Sequence, residues 1–237
     1  MRLILAFFLA TGTPFLSAPD DATQIAWLLK RFEGAYRSSK TLRADFLERY
    51  FDNGKELRAE AGIAYFSKPG KMRWEYLSPE TNLYVVDGKW SWFYVPADHS
   101  VTRTRAKESA DARTPLALLA GEMRVSRICK RVQGEPKSEA TDPHGVVLRC
   151  ALRGDDEIVP AGSTTQGMVP SSRSAYALFE LNPENGQLLR VVVVDPGGMQ
   201  VEFQFKNWMF DPPLQAGKFQ FLVPKGVAIV DGDLGTR

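Results

Sequence analysis

The stretch from Lys68 to Pro96, KPGKMRWEYLSPETNLYVVDGKWSWFYVP, constrains this chain more than any other, because it packs three of the five tryptophans into two strand-turn-strand units. Asp87-Gly88 lies between alternating runs, the strongest short signal for a two-residue hairpin of type I′. A turn at those residues sets Val86 opposite Lys89, Val85 opposite Trp90 and Leu83 opposite Trp92. Leu83, Val85, Trp90, Trp92 and Tyr94 then share one face of the sheet, with Asn82, Lys89 and Ser91 on the other. Upstream, Met72, Trp74 and Tyr76 alternate with Arg73 and Glu75 in the same apolar-polar rhythm. The expectation is one aromatic face, shared by both strand pairs, that walls an apolar space.

The remaining segments supply more strands and few helices. Asp20 or Asp21 can cap an amphipathic helix whose apolar residues Ile25, Leu28, Leu29, Phe32 and Tyr36 recur at three- and four-residue spacing. Strand-like runs around Leu42 to Phe51, including Phe46, and Leu57 to Ser67 flank the turn cluster Asp52-Asn53-Gly54-Lys55 and make a hairpin. The run TPLALLAG reads as a short helix, with Thr114 as N-cap, Pro115 in the first position and Gly121 past the end. So short a helix holds only if Leu116 and Leu119 pack on something apolar. Residues 153–174 are polar and rich in Gly, Ser and Pro, which suggests a surface loop. Two further strands meet at Pro196-Gly197-Gly198, and a three-residue loop there sets Val193 opposite Val201 and Val191 opposite Phe203, leaving Arg190 and Gln204 outside. The tail FQFLVPKGVAIVD offers a last short strand.

The N-terminus has Arg2 followed by LILAFFLA and then small residues up to Ala18, the pattern of a secretory signal peptide over residues 1–18, with a mature domain over 19–237. The apolar run is too short for the roughly 20 residues that span a bilayer. Export puts Cys129 and Cys150 in an oxidising compartment, where a cross-strand disulfide closing a loop of this length is worth about 3 kcal/mol. Cys150 shares a face with Val146, Leu148 and Leu152, whereas Cys129 shares one with Arg127 and Arg131, so the bridge needs a bulge. Two buried free thiols are the alternative.

Several functions are disfavoured at this stage. A formal net charge of +2 without a basic cluster gives no footprint for nucleic acid. There is no G-x-S-x-G, S-x-x-K, H-E-x-x-H or phosphate-cradling glycine loop, so the chain does not read as an enzyme. His99 and His144 lie in polar turns and match no zinc spacing, and neither a metal nor a cofactor is expected. A curved sheet covered by one long and one short helix leaves room for a ligand wherever bulky side chains do not fill it.

KP followed by the strand ending in Trp74, then VVDGKWSWFYVP, TPLALLAG and FQFLVPKGVAIVD, together resemble the LolA family of periplasmic outer-membrane lipoprotein carriers, in the family's order and over nearly all of the mature chain. That resemblance implies a mainly β fold: a strongly curved antiparallel half-barrel closed by a helical lid. It also implies a monomeric carrier in the periplasm, whose cavity holds lipoprotein acyl chains. Such a carrier loads at an ATP-driven release complex in the inner membrane and unloads at an outer-membrane receptor. On this reading Phe46, Met72, Trp74, Tyr76, Leu83, Val85, Trp90, Trp92, Tyr94, Val191, Val193 and Phe203 line the cavity, and Leu116 and Leu119 face it from the lid. Lys68 stands where the family commonly has an arginine that latches the lid, and a single ammonium cannot reproduce a guanidinium's set of bonds. A lipid or lipoprotein sensor of the same fold is the competing reading.

Overall fold

The computed structural model of the chain describes residues 21–106, 117–120, 124–153 and 175–232. The expected signal peptide, Thr114 to Leu116 and the polar stretch after Arg153 lie outside them. Among the described residues, helices are α1 (Asp21–Arg37), α2 (Ala117–Ala120) and α3 (Val125–Ile128). The first six strands are β1 (Thr41–Asp52), β2 (Lys55–Ser67), β3 (Lys71–Ser78), β4 (Leu83–Val86), β5 (Trp90–Val95) and β6 (Ser100–Arg105). The other six are β7 (Cys129–Gly134), β8 (Val146–Leu152), β9 (Tyr176–Leu181), β10 (Leu188–Val194), β11 (Met199–Phe210) and β12 (Ala228–Asp231). They form one sheet in the order β12-β6-β5-β4-β3-β2-β1-β11-β10-β9-β8-β7. Pairing is antiparallel throughout except that β12 runs parallel to β6. The outermost strands, β12 and β7, are not paired with each other, so the curved sheet stays open.

Turn chemistry sets the two long hairpins as the sequence suggests. Asn53 and Gly54 adopt φ of 48° and 81°, the left-handed pair that a two-residue β1–β2 turn requires. At the β10–β11 turn, Asp195 N–H donates to Met199 O at 3.0 Å, and Val191 faces Phe203 while Val193 faces Val201. Arg190 consequently projects from the convex side, where it meets Glu180 at 2.7 Å and Glu202 at 3.3 Å.

The β4–β5 hairpin departs from expectation. Its turn is Gly88-Lys89, closed by Asp87 N–H donating to Trp90 O at 3.0 Å, with Gly88 at φ 99° as a type II′ turn demands. The Asp87 carboxylate causes the shift by accepting the N–H groups of Lys89 at 2.8 Å and Trp90 at 2.7 Å and the Trp92 indole N–H at 3.1 Å. Burial alone would raise its pKa, but these donors hold it below the usual aspartate value. Val85 therefore faces Trp92, and Leu83 faces Tyr94.

The β3–β4 pairing brings the larger correction. Met72 faces Val86 and Trp74 faces Tyr84, so these four point to one side and Leu83, Val85, Trp90, Trp92 and Tyr94 to the other. The second set cannot line the same space as Trp74. Its apolar character is explained by the C-terminal segment, which crosses the convex face and sets Phe221 5.5 Å from Trp92 and 5.6 Å from Tyr94. Lys218 fastens that segment by an ion pair to Glu75 at 2.9 Å.

On the concave side α1 buries Leu28, Phe32 and Tyr36, one stripe of its helical period. The Tyr36 ring stands edge-on to Trp208 at 5.1 Å and Phe210 at 5.3 Å, and its hydroxyl accepts the Leu188 N–H at 2.8 Å. Burial pushes this phenol's pKa far above the ordinary tyrosine value, so it stays neutral. Lys68 Nζ closes the helix end, donating to the carbonyls of Tyr36, Arg37 (3.3 Å) and Ser39 (2.8 Å). Two residues on, Gly70 N–H donates to Ala120 O at 2.7 Å. One turn thus holds both covering helices, the long one by a side chain and the short one by backbone.

Cys129 and Cys150 are bonded, with Cα atoms 5.3 Å apart. Cys150 faces Val132 and Cys129 faces Leu152, a geometry made possible by a register shift between Cys129 and Arg131. The protein purified from its native compartment and unfolded without reductant should release no titratable thiol, and two thiols would refute the bridge in solution. Lys68→Met should lower unfolding free energy in urea by about 1–3 kcal/mol, because it strips the shared donor from part-buried carbonyls; unchanged stability would show that water replaces it.

Candidate functional site

The concave face is built around Trp74. Phe46 from β1 approaches it at 4.8 Å and Phe66 from β2 at 5.6 Å, both edge-on, while Phe203 and Phe205 from β11 tilt against it at 5.5 and 6.2 Å. Edge-on and tilted contacts suit rings whose faces are negative and edges positive. Room for this cluster comes from Gly62, where an added Cβ would lie 1.9 Å from the Glu75 carbonyl oxygen and 3.0 Å from Phe46. The glycine lets β3 and the Phe46 ring close over β2, beside the register shift between Ala61 and Gly62.

Burial divides this face into two regions. Phe46, Met72, Trp74, Val191 and Phe205 are buried, as is Leu119 on α2. Tyr76, Tyr84, Val193 and Phe203 are only half-buried, and Phe93 is 39% exposed. All five belong to the concave side, since Tyr84 faces Phe93 across β4–β5, Tyr84 shares its side with Trp74, and Val193 is bridged to Phe203's strand through Val201. The result is an apolar floor that continues into a strip of half-open aromatic and aliphatic side chains.

At one end of the strip sits a carboxylate. Glu48 takes the inward position two residues beyond Phe46 on β1 and is 3% exposed. It accepts a hydrogen bond from the Tyr76 hydroxyl at 2.9 Å and another from the Tyr50 hydroxyl. Burial first, and then the Glu48 charge, hold the Tyr50 phenol well above its ordinary pKa, so it remains a donor. Sequence reading passed over Tyr84, Phe93, Glu48 and Gly62. Only Glu48 carried a signal, as a charge on the apolar parity Leu42, Ala44, Phe46 of β1.

Of the residues assigned to the site from sequence, the structure brings Phe46, Met72, Trp74, Tyr76, Val191, Val193, Phe203 and Leu119 to the concave side. Leu83, Val85, Trp90, Trp92 and Tyr94 lie on the opposite face, Leu116 lies outside the described residues, and Lys68 grips the end of α1. His99 and His144 are exposed. Among the described residues no three metal-ligating side chains converge, and no helix is long and apolar enough to cross a membrane. The strip offers a partly open apolar surface, the means to hold an apolar chain.

Comparison with known proteins places this architecture. Residues 37–142 match the family model described as outer membrane lipoprotein carrier protein LolA. The outer-membrane lipoprotein carrier protein of Chromobacterium violaceum is 30% identical over 231 residues, covering 98% of this chain and 97% of that protein. The protein of the same description from Psychromonas ingrahamii is 27% identical over 232 residues, covering 98% and 99%. An uncharacterized conserved protein from Thermus thermophilus shares the fold, with a TM-score of 0.51 and 14% identity over 88% of this chain and 99% of that one. With full-length similarity at this level and an open, curved sheet covered by helices, the chain belongs to the LolA family.

Proposed function

We propose that the chain is a periplasmic carrier that binds the acyl chains of lipoproteins on the concave face and moves them between membranes. Residues 1–18 direct export, and residues 19–237 are the carrier domain. Loading takes place at an ATP-driven release complex of the inner membrane, and delivery at an outer-membrane lipoprotein receptor. No covalent chemistry is involved, and the carrier works as a monomer.

The observation that carries this reading is the strip of half-buried side chains, Tyr76, Tyr84, Phe93, Val193 and Phe203, lying beside a fully packed aromatic floor. Each methylene removed from water is worth about 0.8 kcal/mol, so an acyl chain crossing an aqueous compartment needs such a surface. Delivery requires that holding be reversible. Leu119 is buried against the same core, so the covering segment competes with cargo for apolar contacts and keeps affinity moderate. Tyr76 and Glu48, bonded to each other, close the strip at one end with a polar pair.

The two faces of the sheet provide the test. Phe203→Glu puts a carboxylate into the strip, where an unpaired buried charge costs several kcal/mol. It should weaken binding in a fluorescent fatty-acid displacement assay by about a hundredfold or more. Trp92→Glu alters the convex face and should bind within about twofold of wild type. Equal losses in both folded variants, or loss in Trp92→Glu alone, would contradict this assignment of the site.

A further inference from the structure

The sheet ends at β7 with an open edge. Glu135 N–H donates to Val147 O at 2.9 Å, and the alternation of an antiparallel ladder then turns Arg131 and Gln133 toward β8. The backbone N–H and C=O groups of Val132 and Gly134 point the other way. No strand pairs with that side among the described residues. Beyond it lies a groove of about 630 Å³, with Ala22, Ala26 and Leu29 of α1 on one wall and Val125 of α3 and Val132 of β7 on the other. Ala22 and Ala26 are exposed, so the helix presents small side chains there and does not fill the groove.

Charge gives this edge its selectivity. Arg124 and Arg127 of α3, Lys130 and Arg131 of β7, and Arg153 just past β8 are all exposed. Arg153 is brought to the others by its N–H and Nε, which donate to Ile128 O at 2.7 Å and Ser126 O at 3.0 Å. The acidic residues on the groove are Asp21 and Glu33, and Glu33 is already engaged. One of its oxygens accepts the Val125 N–H at 2.7 Å, and the other pairs with Arg37 at 2.8 Å. Cations along an edge strand repel a second copy of the same edge. The same cations attract a strand of opposite charge.

We propose that the β7 edge is a docking site for an extended, acidic segment of another polypeptide, which adds to the sheet as a further strand. Side chains of an added strand alternate, so those on the Val132 side meet α1 and those on the Arg131 side meet the cations. Open backbone groups, an apolar wall and a basic cluster thus each recognise a different part of one partner. The site takes polypeptide at the end of the sheet, and it goes beyond the acyl binding proposed for the concave strip.

A fluorescein-labelled, acetylated peptide alternating glutamate and valine, titrated against the folded protein by anisotropy, tests it. The peptide should bind, and raising salt to about 0.5 M should weaken it about tenfold. A peptide with lysine in place of glutamate, or with two adjacent central residues replaced by proline, should bind at least about tenfold more weakly. In hydrogen exchange read by NMR, the bound peptide should slow the amides of Val132 and Gly134 by about tenfold and leave Arg131 and Gln133 within about twofold. Lys130→Glu combined with Arg131→Glu, with the fold checked by circular dichroism, should weaken binding by about tenfold or more. Gly134→Pro removes a donor on the open side and should weaken it about fivefold; should that variant fail to fold, the charge-reversed one decides.

The proposal is overturned if the glutamate peptide binds no better than the lysine peptide, if Val132 and Gly134 gain no protection, or if charge reversal leaves binding as in wild type. Concentration-dependent dimerisation that charge reversal abolishes would make the occupant a second copy and overturn it too. Peptide binding that appears only after Asp155→Asn, Asp156→Asn and Glu157→Gln would assign the edge to the chain's own acidic run, with the same consequence. Fatty-acid displacement does not enter this readout, so a failure of the carrier reading leaves the result unaffected.

Discussion

An antiparallel sheet that curves without closing leaves an aromatic inner face that something else must cover, and the arrangement depends on how that cover is seated. Tyr36 does most of this work. Its ring fills the angle between Trp208 and Phe210, and its hydroxyl accepts the Leu188 N–H, which joins helix and sheet through one buried side chain. The helix covers the Leu181, Leu188 and Phe179 side of the face and leaves Phe203, Val193 and Tyr76 half-open. The half-open strip arises where the cover stops. Lengthening the cover would stabilise the empty protein and abolish the space.

The turn at Lys68 to Gly70 ties this cover together. The Lys68 ammonium is held by carbonyls at the α1 terminus, and burial draws its pKa below the ordinary lysine value, while Gly70 binds the end of α2 through backbone. Movement of either helix is therefore felt at the same three residues. A guanidinium in this place could fork between acceptors, whereas the ammonium converges on one helix end. Among the described residues, the turn holds the short helix through the Gly70 backbone bond, and Leu119 packs it on the core.

How far the sequence foretold this varied with how much each strand alternates. The β1–β2 and β10–β11 hairpins were legible because β1, β2 and β11 alternate, with Arg190 alone marking the outer face of β10, and because their turns have glycines where positive φ is needed. β4 reads Leu-Tyr-Val-Val, apolar at every position, so nothing in it reports which side faces inward, and the aromatic content of β5 was assigned to the wrong face. The convex face is itself apolar there because the distant Phe221 covers it, a contact that local pattern cannot reveal. The register slipped for a related reason: Asp87 was read as a turn residue, whereas its carboxylate anchors the turn from the position before it. The half-barrel, the long helix and the need for a bulge at Cys129 could be read in advance, and the boundary between filled and open regions of the concave face could not, since it depends on Gly62 and on where α1 ends.

The central claim is that the strip beside Trp74 holds acyl chains. Native mass spectrometry of the protein taken from the periplasm without detergent addresses it most directly. The account predicts, beside the bare chain, species heavier by the mass of an acylated lipid or lipopeptide, and predicts that these vanish when Phe203 is replaced by glutamate. Bare protein alone, both as purified and after incubation with an acylated lipopeptide, would contradict it.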